Sequence, residues 1–515
     1  MDDVRWVIRN ARLHATDPAL RTAAGFARAL GDGAPHRAQV ARWEGGQVAL
    51  THRLVRSYEE VLDLPHGQLL RAIDLITRDR FPINRMPVLA APVPDDIAPE
   101  ALPLLERALQ YAPMTGLDWD RLTTLLGSVH HVLVRERDWE TLLYRLSLAT
   151  SVSTGLEYAH RWEASARLVS MPQSNETVVE MIESALKDND VQLYSDYATL
   201  MRYSPDPRGH HVLADVIVRP PNARALWASM STLTTLVRHH LVEEPLVSGL
   251  LPHAVGILSD DSFPIRTRRA AASLAERSDG YGHGRVVLTD GERRTVTDVL
   301  DASGLRPERQ EATRRAIMRR LTEQVPSDDG DQVLERLVRT SLEDPHLDSR
   351  DTALGVLLLS SQGVPMGVEL GARLEVVVAD DEMMETRAHL SMLSWLVQSG
   401  SLDLLTVLTT DLHRPSEVTS LAAAALGNCA EPGGPARDAR DALLADHARN
   451  HILLRRKDAG VPNGNAWGIG YALGMRGRFD LITELAQLPE CERDRDWRPA
   501  LAWWLDLPEV LRPTR

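Results

Sequence analysis

Lysine is almost absent. Lys187 and Lys457 are the only two, so nearly all of the 58 basic residues are arginine, a bias from which no function follows. Cysteine is as scarce. Cys429 and Cys491 cannot build a disulfide framework, and the expected compartment is the reducing cytoplasm. Aromatic residues make up only 5% of the chain, although 11 residues are Trp. No apolar run approaches the roughly 18 residues that a membrane-crossing helix needs. The opening MDDVRWVIRN is acidic and then mixed, unlike a secretory signal, so no membrane partner is expected. Catalytic signatures are missing too: there is no Gly-x-Ser-x-Gly elbow and no HExxH pair. The stretch GYGHG (280–284) lacks the Lys-Ser/Thr of a phosphate loop and reads as a flexible loop between helices. Histidine pairs at 130–131, 210–211 and 239–240 point to different faces of a helix, and His447 and His451, at i, i+4, have no cysteine near them in sequence. The expectation is a protein that is not an enzyme and holds no cofactor and no metal.

What is present is an ordinary globular composition, 43% apolar and 25% charged over 515 residues, enough for about three domains of roughly 100–200 residues each. Charge is distributed unevenly. The whole chain is −14, which disfavours nucleic acid overall. Residues 1–58 hold nine arginines against five acids, a net of +4, and leave −18 to the remainder.

The N-terminal 80 residues read as five short helices: Val4 to Leu13; Thr22 to Leu30, closed by Gly31; His36 to Glu44, closed by Gly45 and Gly46; Thr51 to Leu62, with Thr51 as N-cap; and a fifth with Pro65 in its first turn, running to Ile76. Residues 81–99 contain five prolines and predict an extended, semi-rigid linker. From Glu100 onward apolar residues recur at helical spacing, as in Leu102, Leu105, Leu109 and Leu122, Leu125, Leu126, Val129. RVVL (285–288) and LEVVV (374–378) are the only strand candidates. Segments 250–277 and 333–361 share one layout, a helix, an acidic turn and a second helix, with 181–201 and 404–428 matching more loosely. Their turn aspartates are Asp188, Asp260, Asp344 and Asp411. This spacing resembles HEAT-like helical repeats, in which stacked helix pairs share a core that no single pair can bury. The predicted fold is therefore all-α: a five-helix domain at 1–80, a linker at 81–99 and an α-solenoid of helix pairs at 100–515.

The informative stretch is AAGFARALGDGAPHRAQVARWEGGQ (23–47). Val40 and Trp43 share one face of the third helix and are expected to bury against Phe26, Leu30 and the fourth helix. Arg37, Ala38, Ala41 and Arg42 then face away. Together with Tyr58-Glu59 and Leu62-Asp63-Leu64-Pro65, the Val-x-Arg-Trp-Glu-x-Gly run resembles the Cro/C1 (XRE-type) helix-turn-helix family, particularly its actinobacterial members, over residues 3–76. The resemblance implies a recognition helix entering the major groove. On the matching positions Arg37, Ala38 and Arg42 fall where base contacts are usual, with His36 and Gln39 beside them, and Arg28, Thr51 and Arg53 reach phosphates. Glu44 reads as a structural hydrogen-bond acceptor. The sequence departs from the family at position 23, which is Ala rather than Gln, and in the longer turn at 31–35.

The C-terminal stretches NAWGIGYALGMRGRFDLI (465–482) and DWRPALAWWLDL (496–507) concentrate Trp467, Tyr471, Trp503 and Trp504. They predict either a tightly packed terminal repeat, whose glycines admit a neighbouring helix, or an effector or dimer surface. The resulting expectation is a cytoplasmic, homodimeric regulator. It reads a palindromic operator in double-stranded DNA with its N-terminal domain. Its acidic body senses a protein, peptide or small-molecule effector. The alternative is a helical-repeat scaffold whose N-terminal domain docks protein. A DNA glycosylase on helical repeats needs a basic concave surface, which the acidic body does not supply.

Overall fold

Side-chain caps set the first helices where the sequence places them. In the computed structural model of the chain the residues described are 3–31, 36–83, 89–129, 134–188, 194–284, 287–301, 307–323, 331–396, 400–455 and 464–513. Five helices lead: α1 (Asp3–Leu13), α2 (Ala23–Ala29), α3 (Arg37–Glu44), α4 (His52–Val61) and α5 (Gln68–Arg80). The Thr22 hydroxyl accepts from the Gly25 N–H at 3.0 Å to start α2, and Thr51 accepts from Leu54 at 3.2 Å to start α4. Gly31 and Gly46, at φ +89° and +82°, turn the chain out of α2 and α3. α1 packs on α3, α4 and α5, and α2 on α3, around Ile8, Phe26, Val40, Val55, Tyr58 and Ile73. A short 3-10 turn, Pro18–Arg21, was not expected from the sequence.

The fifth helix begins three residues later than the proline signal predicts and ends four later. Glu59, fully buried on α4, accepts from the N–H groups of Gly67 and Leu69 at 2.8 Å and of Leu70 at 3.3 Å. A carboxylate from another helix therefore caps α5, and the helix starts where that carboxylate reaches.

The chain divides into two compact units: residues 1–151, 156–306 and 343–353 in the first; 152–155, 307–342 and 354–515 in the second. The five N-terminal helices thus belong to the same unit as the helices after residue 98. Those are α6 (Ala98–Leu109), α7 (Gly116–Ser128), α8 (Glu136–Ser151), α9 (Gly155–Val169), α10 (Asn175–Lys187), α11 (Tyr194–Leu200), α12 (Arg208–Val218), α13 (Ala223–Arg238), α14 (Glu244–Ser259), α15 (Ile265–Ser278), α16 (Tyr281–Gly284) and α17 (Asp290–Asp301). The second unit holds α18 (Pro307–Thr322), α19 (Gln332–Glu343), the second half of α20 (Leu347–Leu359), α21 (Gly363–Ala379), α22 (Met383–Leu393), α23 (Leu402–Thr410), α24 (Ser416–Asn428), α25 (Pro435–Arg455), α26 (Ala466–Met475), α27 (Phe479–Ala486) and α28 (Trp497–Asp506).

The fold is all-α, with no strand among the described residues. LEVVV lies inside α21, and Val287 and Leu288 of RVVL have no regular structure. GYGHG is not a free loop. It carries α16, whose Tyr281 hydroxyl donates to the Val242 carbonyl at 2.6 Å. Packing follows chain order. α11 meets α13, α13 meets α15 and α15 meets α17, while α10 meets α12 and α12 meets α14. In the second unit α22, α24, α26 and α28 follow one another in the same way, as do α23, α25 and α27.

Two of the acidic turns are the same device built twice. Asp260 Oδ1 accepts from the Ser262 N–H at 2.9 Å, and Asp411 Oδ1 accepts from His413 at 3.0 Å. Pro264 (φ −54°, ψ 143°) and Pro415 (φ −55°, ψ 143°) then open α15 and α24. An aspartate turn followed by a proline that cannot join the preceding helix reverses the chain the same way in both units. Asp344 makes the equivalent bond to the His346 N–H at 2.9 Å.

α6 keeps the predicted period but presents another face. Leu102 is exposed, and Ala101 and Ala108 are buried instead. Ion pairs from Arg121 to Glu100 (2.5 Å) and from Arg107 to Asp118 (3.1 Å) bring the polar side of α6 onto α7. Arg121 also donates to the Pro92 carbonyl at 3.1 Å, pinning part of the proline-rich segment, whose described residues before α6 are irregular. No single helix among the described residues is long and apolar enough to cross a membrane.

Candidate nucleic-acid interface

α3 has one polar face in solvent. Arg37, Ala38, Ala41 and Arg42 are exposed, Gln39 is half-buried and Val40 is fully buried. His36 is the N-cap, and its Nδ1 accepts from the Ala38 N–H at 3.3 Å. Arg28 is exposed, with Nε donating to Ala24 O at 3.4 Å, and Thr51 and Arg53 are exposed on the first turn of α4. Among the described residues Arg37, Arg42 and Arg53 have no carboxylate partner. The turn residues 32–35, Asp32 included, lie outside the described residues.

The inner edge of α3 is held by charge. Glu44 is buried and takes both ends of the Arg12 guanidinium, Nε to Oε1 at 2.6 Å and Nη2 to Oε2 at 2.7 Å, while the Tyr58 hydroxyl donates to Oε1 at 3.1 Å. Burial, then Glu44 beside it, pushes the Tyr58 hydroxyl far above its usual range, so it stays a donor. This bidentate pair fixes the rotation of α3 about its axis. It also corrects the expected core. Val40 and Glu44, not Val40 and Trp43, centre the inner face, and Trp43 is only half-buried at its margin.

Sequence reasoning missed how α5 is joined to α7 and α9. Arg71 reaches Asp74 at 2.8 Å and Asp120 at 2.6 Å. Arg167 bonds Asp120 and lies 3.2 Å from Glu163, and Glu163 takes Arg78 bidentately at 3.0 and 2.8 Å. Three guanidinium groups thus face three carboxylates, and the Arg78 guanidinium lies 5.4 Å from the centre of the Tyr203 ring. Burial alone would raise the Asp120 carboxyl, but Arg71 and Arg167 overturn that and hold it well below the usual range. Burial pushes Asp74 up to about 7 against the pull of Arg71. His160 on α9 donates from Nε2 to the His66 carbonyl at 3.2 Å, and a Cβ at position 67 would lie 2.5 Å from its Cε1. Gly67, at φ +83°, is therefore required twice over, for its backbone angle and for the space it leaves. Burial, then the Arg71 charge, lowers His160 to about 4. These charged residues carry no periodic signal, because each reads singly as solvated surface.

The C-terminal aromatics divide between core and surface. Trp504 is buried, and Trp467, Tyr471 and Trp503 are half-buried. Tyr471 and Phe479 meet Trp504 edge-on, with ring centres 6.1 and 6.3 Å apart, and the Tyr471 hydroxyl donates to Asn428 Oδ1 at 2.7 Å. A methyl at Gly474 would run into the Trp504 indole, whereas one at Gly470 would make only an ordinary contact with Ala500 at 3.4 Å. Gly474 is therefore the glycine that admits α28. His447 and His451 lie with ring centres 4.6 Å apart and planes tilted by 35°, and no group of three metal-ligating side chains occurs among the described residues. Both cysteines are buried free thiols. The chain matches no known protein-family model and no curated protein.

Proposed function

We propose that the chain is a sequence-specific DNA-binding regulator, in which α2 and α3 act as a helix-turn-helix and the helical-repeat body dimerises and senses an effector. The observation that carries this reading is the exposed face of α3. In a net acidic protein it presents Arg37 and Arg42, which have no carboxylate partner among the described residues, separated by the small Ala38 and Ala41. Arginine without a partner is suited to guanine O6 and N7, and alanine to a thymine methyl. Arg53 and Thr51, at the start of α4, are suited to phosphate contacts that set position without reading sequence. A net charge of +4 on residues 1–58 gives weak non-specific attraction, so binding is expected from a dimer on half-sites roughly one helical turn apart.

The test is a pair of substitutions on a site selected from genomic fragments bound by the full chain. Arg37→Ala is expected to cost about 1–3 kcal/mol on the cognate site and to relax preference at one base pair. Arg53→Ala is expected to weaken cognate and scrambled duplexes alike and to reduce the salt slope by about one. Should neither duplex bind at moderate salt, the scaffold reading, with the N-terminal helices docking protein, takes its place.

A further inference from the structure

α21 is apolar on both sides, which is unusual for a helix at a surface. Its inner face is the core of the second unit: Met366, Leu370 and Leu374 are fully buried and Val377 nearly so. Its outer face is a second row at every fourth residue. Val364 is 64% exposed, Val368 42% and Val376 61%, with Ala372 exposed between them. Four apolar side chains spaced in this way form one continuous ridge, the shape that packs into the groove of another helix. On α23, Val407 is exposed as well, at 58%.

Carboxylates rim the ridge on its own helix. Glu369 and Glu375 flank it on α21, Asp380 follows at its end, and Ser401, the N-cap of α23, donates to Glu375 Oε1 at 3.2 Å, while Asp403 on α23 is already paired with Arg440 at 2.6 Å. The only cation of α21, Arg373, is turned inward and donates to the Thr313 hydroxyl at 3.0 Å. α23 has no cation at all. A second copy of this face would set carboxylates against carboxylates, which costs affinity.

We infer that the outer face of α21 is a docking surface for a cationic amphipathic helix of another protein, its apolar ridge lying along Val364, Val368 and Val376 and its basic flanks meeting Glu369 and Glu375. The inference is independent of the DNA reading. Apolar contact supplies the affinity and the acidic rim supplies the choice of partner.

The test uses the full chain and two synthetic helical peptides that share a leucine ridge, one flanked by lysine and one by glutamate. The lysine peptide is expected to bind and the glutamate peptide not to. Val368→Asp should weaken the lysine peptide about tenfold or more, the loss expected for one valine-sized contact plus a buried charge. Both positions are exposed, so the melting temperature should stay where it is, and Glu375→Lys should shift preference toward the glutamate peptide. Equal binding of the two peptides, or lysine-peptide binding unchanged in Val368→Asp, overturns the inference. If the chain self-associates and Val368→Asp makes it monomeric, the occupant is a second copy, and the assignment is wrong in that respect.

Discussion

Arg37 on α3 and Arg78 on α5 carry the same guanidinium in the same unit of the chain. Arg37 stands in solvent with no carboxylate partner among the described residues, while Arg78 is sealed between Glu163 and the Tyr203 ring. The same contrast separates Arg42 and Arg53 from Arg12 and Arg71. An exposed guanidinium keeps its hydration and its binding capacity, and its loss leaves the fold unaffected. A buried one has exchanged water for carboxylates, and removing those strands a charge in a low-dielectric interior. Partner availability, more than the number of arginines, separates a surface that can take a ligand from one already committed to the fold.

The largest expected effect follows from breaking the committed side. Glu163→Ala leaves Arg78 and Arg167 without their shared carboxylate and should destabilise the first unit by about 3–5 kcal/mol, read from denaturant unfolding. A loss below about 1 kcal/mol, the range of surface pairs, would mean that water reaches this junction. Glu44→Ala strands Arg12 and the Tyr58 hydroxyl, and about 3 kcal/mol should be lost. Glu44→Gln, which keeps one acceptor, should recover part of it.

The pH dependence of the junction sharpens the comparison, because two of its groups act in opposite senses. His160, lowered to about 4, contributes stability that is full above the ordinary histidine range near 6.5 and is lost as pH falls toward 4. Asp74, raised to about 7, contributes stability that is full below the ordinary carboxylate range near 4 and is lost as pH rises through 7. Their windows overlap, so the wild-type first unit should vary little between about pH 4 and 6.5 on their account. Asp74→Asn leaves the histidine alone, and stability should then fall with acid by roughly 3 kcal/mol. His160→Gln leaves the aspartate, and stability should fall toward neutral pH instead. Slopes of the same sign in the two variants would refute this account. The smallest effects belong to the exposed side: Arg37→Ala, Arg42→Ala and Arg53→Ala should each change unfolding free energy by no more than about 0.5 kcal/mol.

Helix content and most N-terminal boundaries were legible because local chemistry carries them. Thr22, Thr51, Gly31 and Gly46 act within a few residues of themselves. The repeated aspartate turns were legible for the same reason. The start of α5 was not, since its cap is the Glu59 carboxylate arriving from α4. The face of α6 was not, since ion pairs to α7 turn it. At the candidate interface the outward positions of α3 follow from period alone. Trp43 was misplaced because a buried glutamate, not the largest apolar side chain, occupies the inner face. Long-range charge pairing leaves no periodic trace in a sequence.

The join between α5 and the helices behind it also bears on adaptability. A reading head on a flexible tether tolerates variable distances between its targets, at the cost of ordering that tether each time it binds. Here Arg71 and Arg78 on α5 pair with Asp120 on α7 and Glu163 on α9, so α5 is held on those helices by ion pairs and does not hang from a tether. On the proposed function the protein then acts as a fixed gauge. One base pair added between two half-sites rotates the second by roughly a tenth of a turn, and no slack in the polypeptide is left to absorb it.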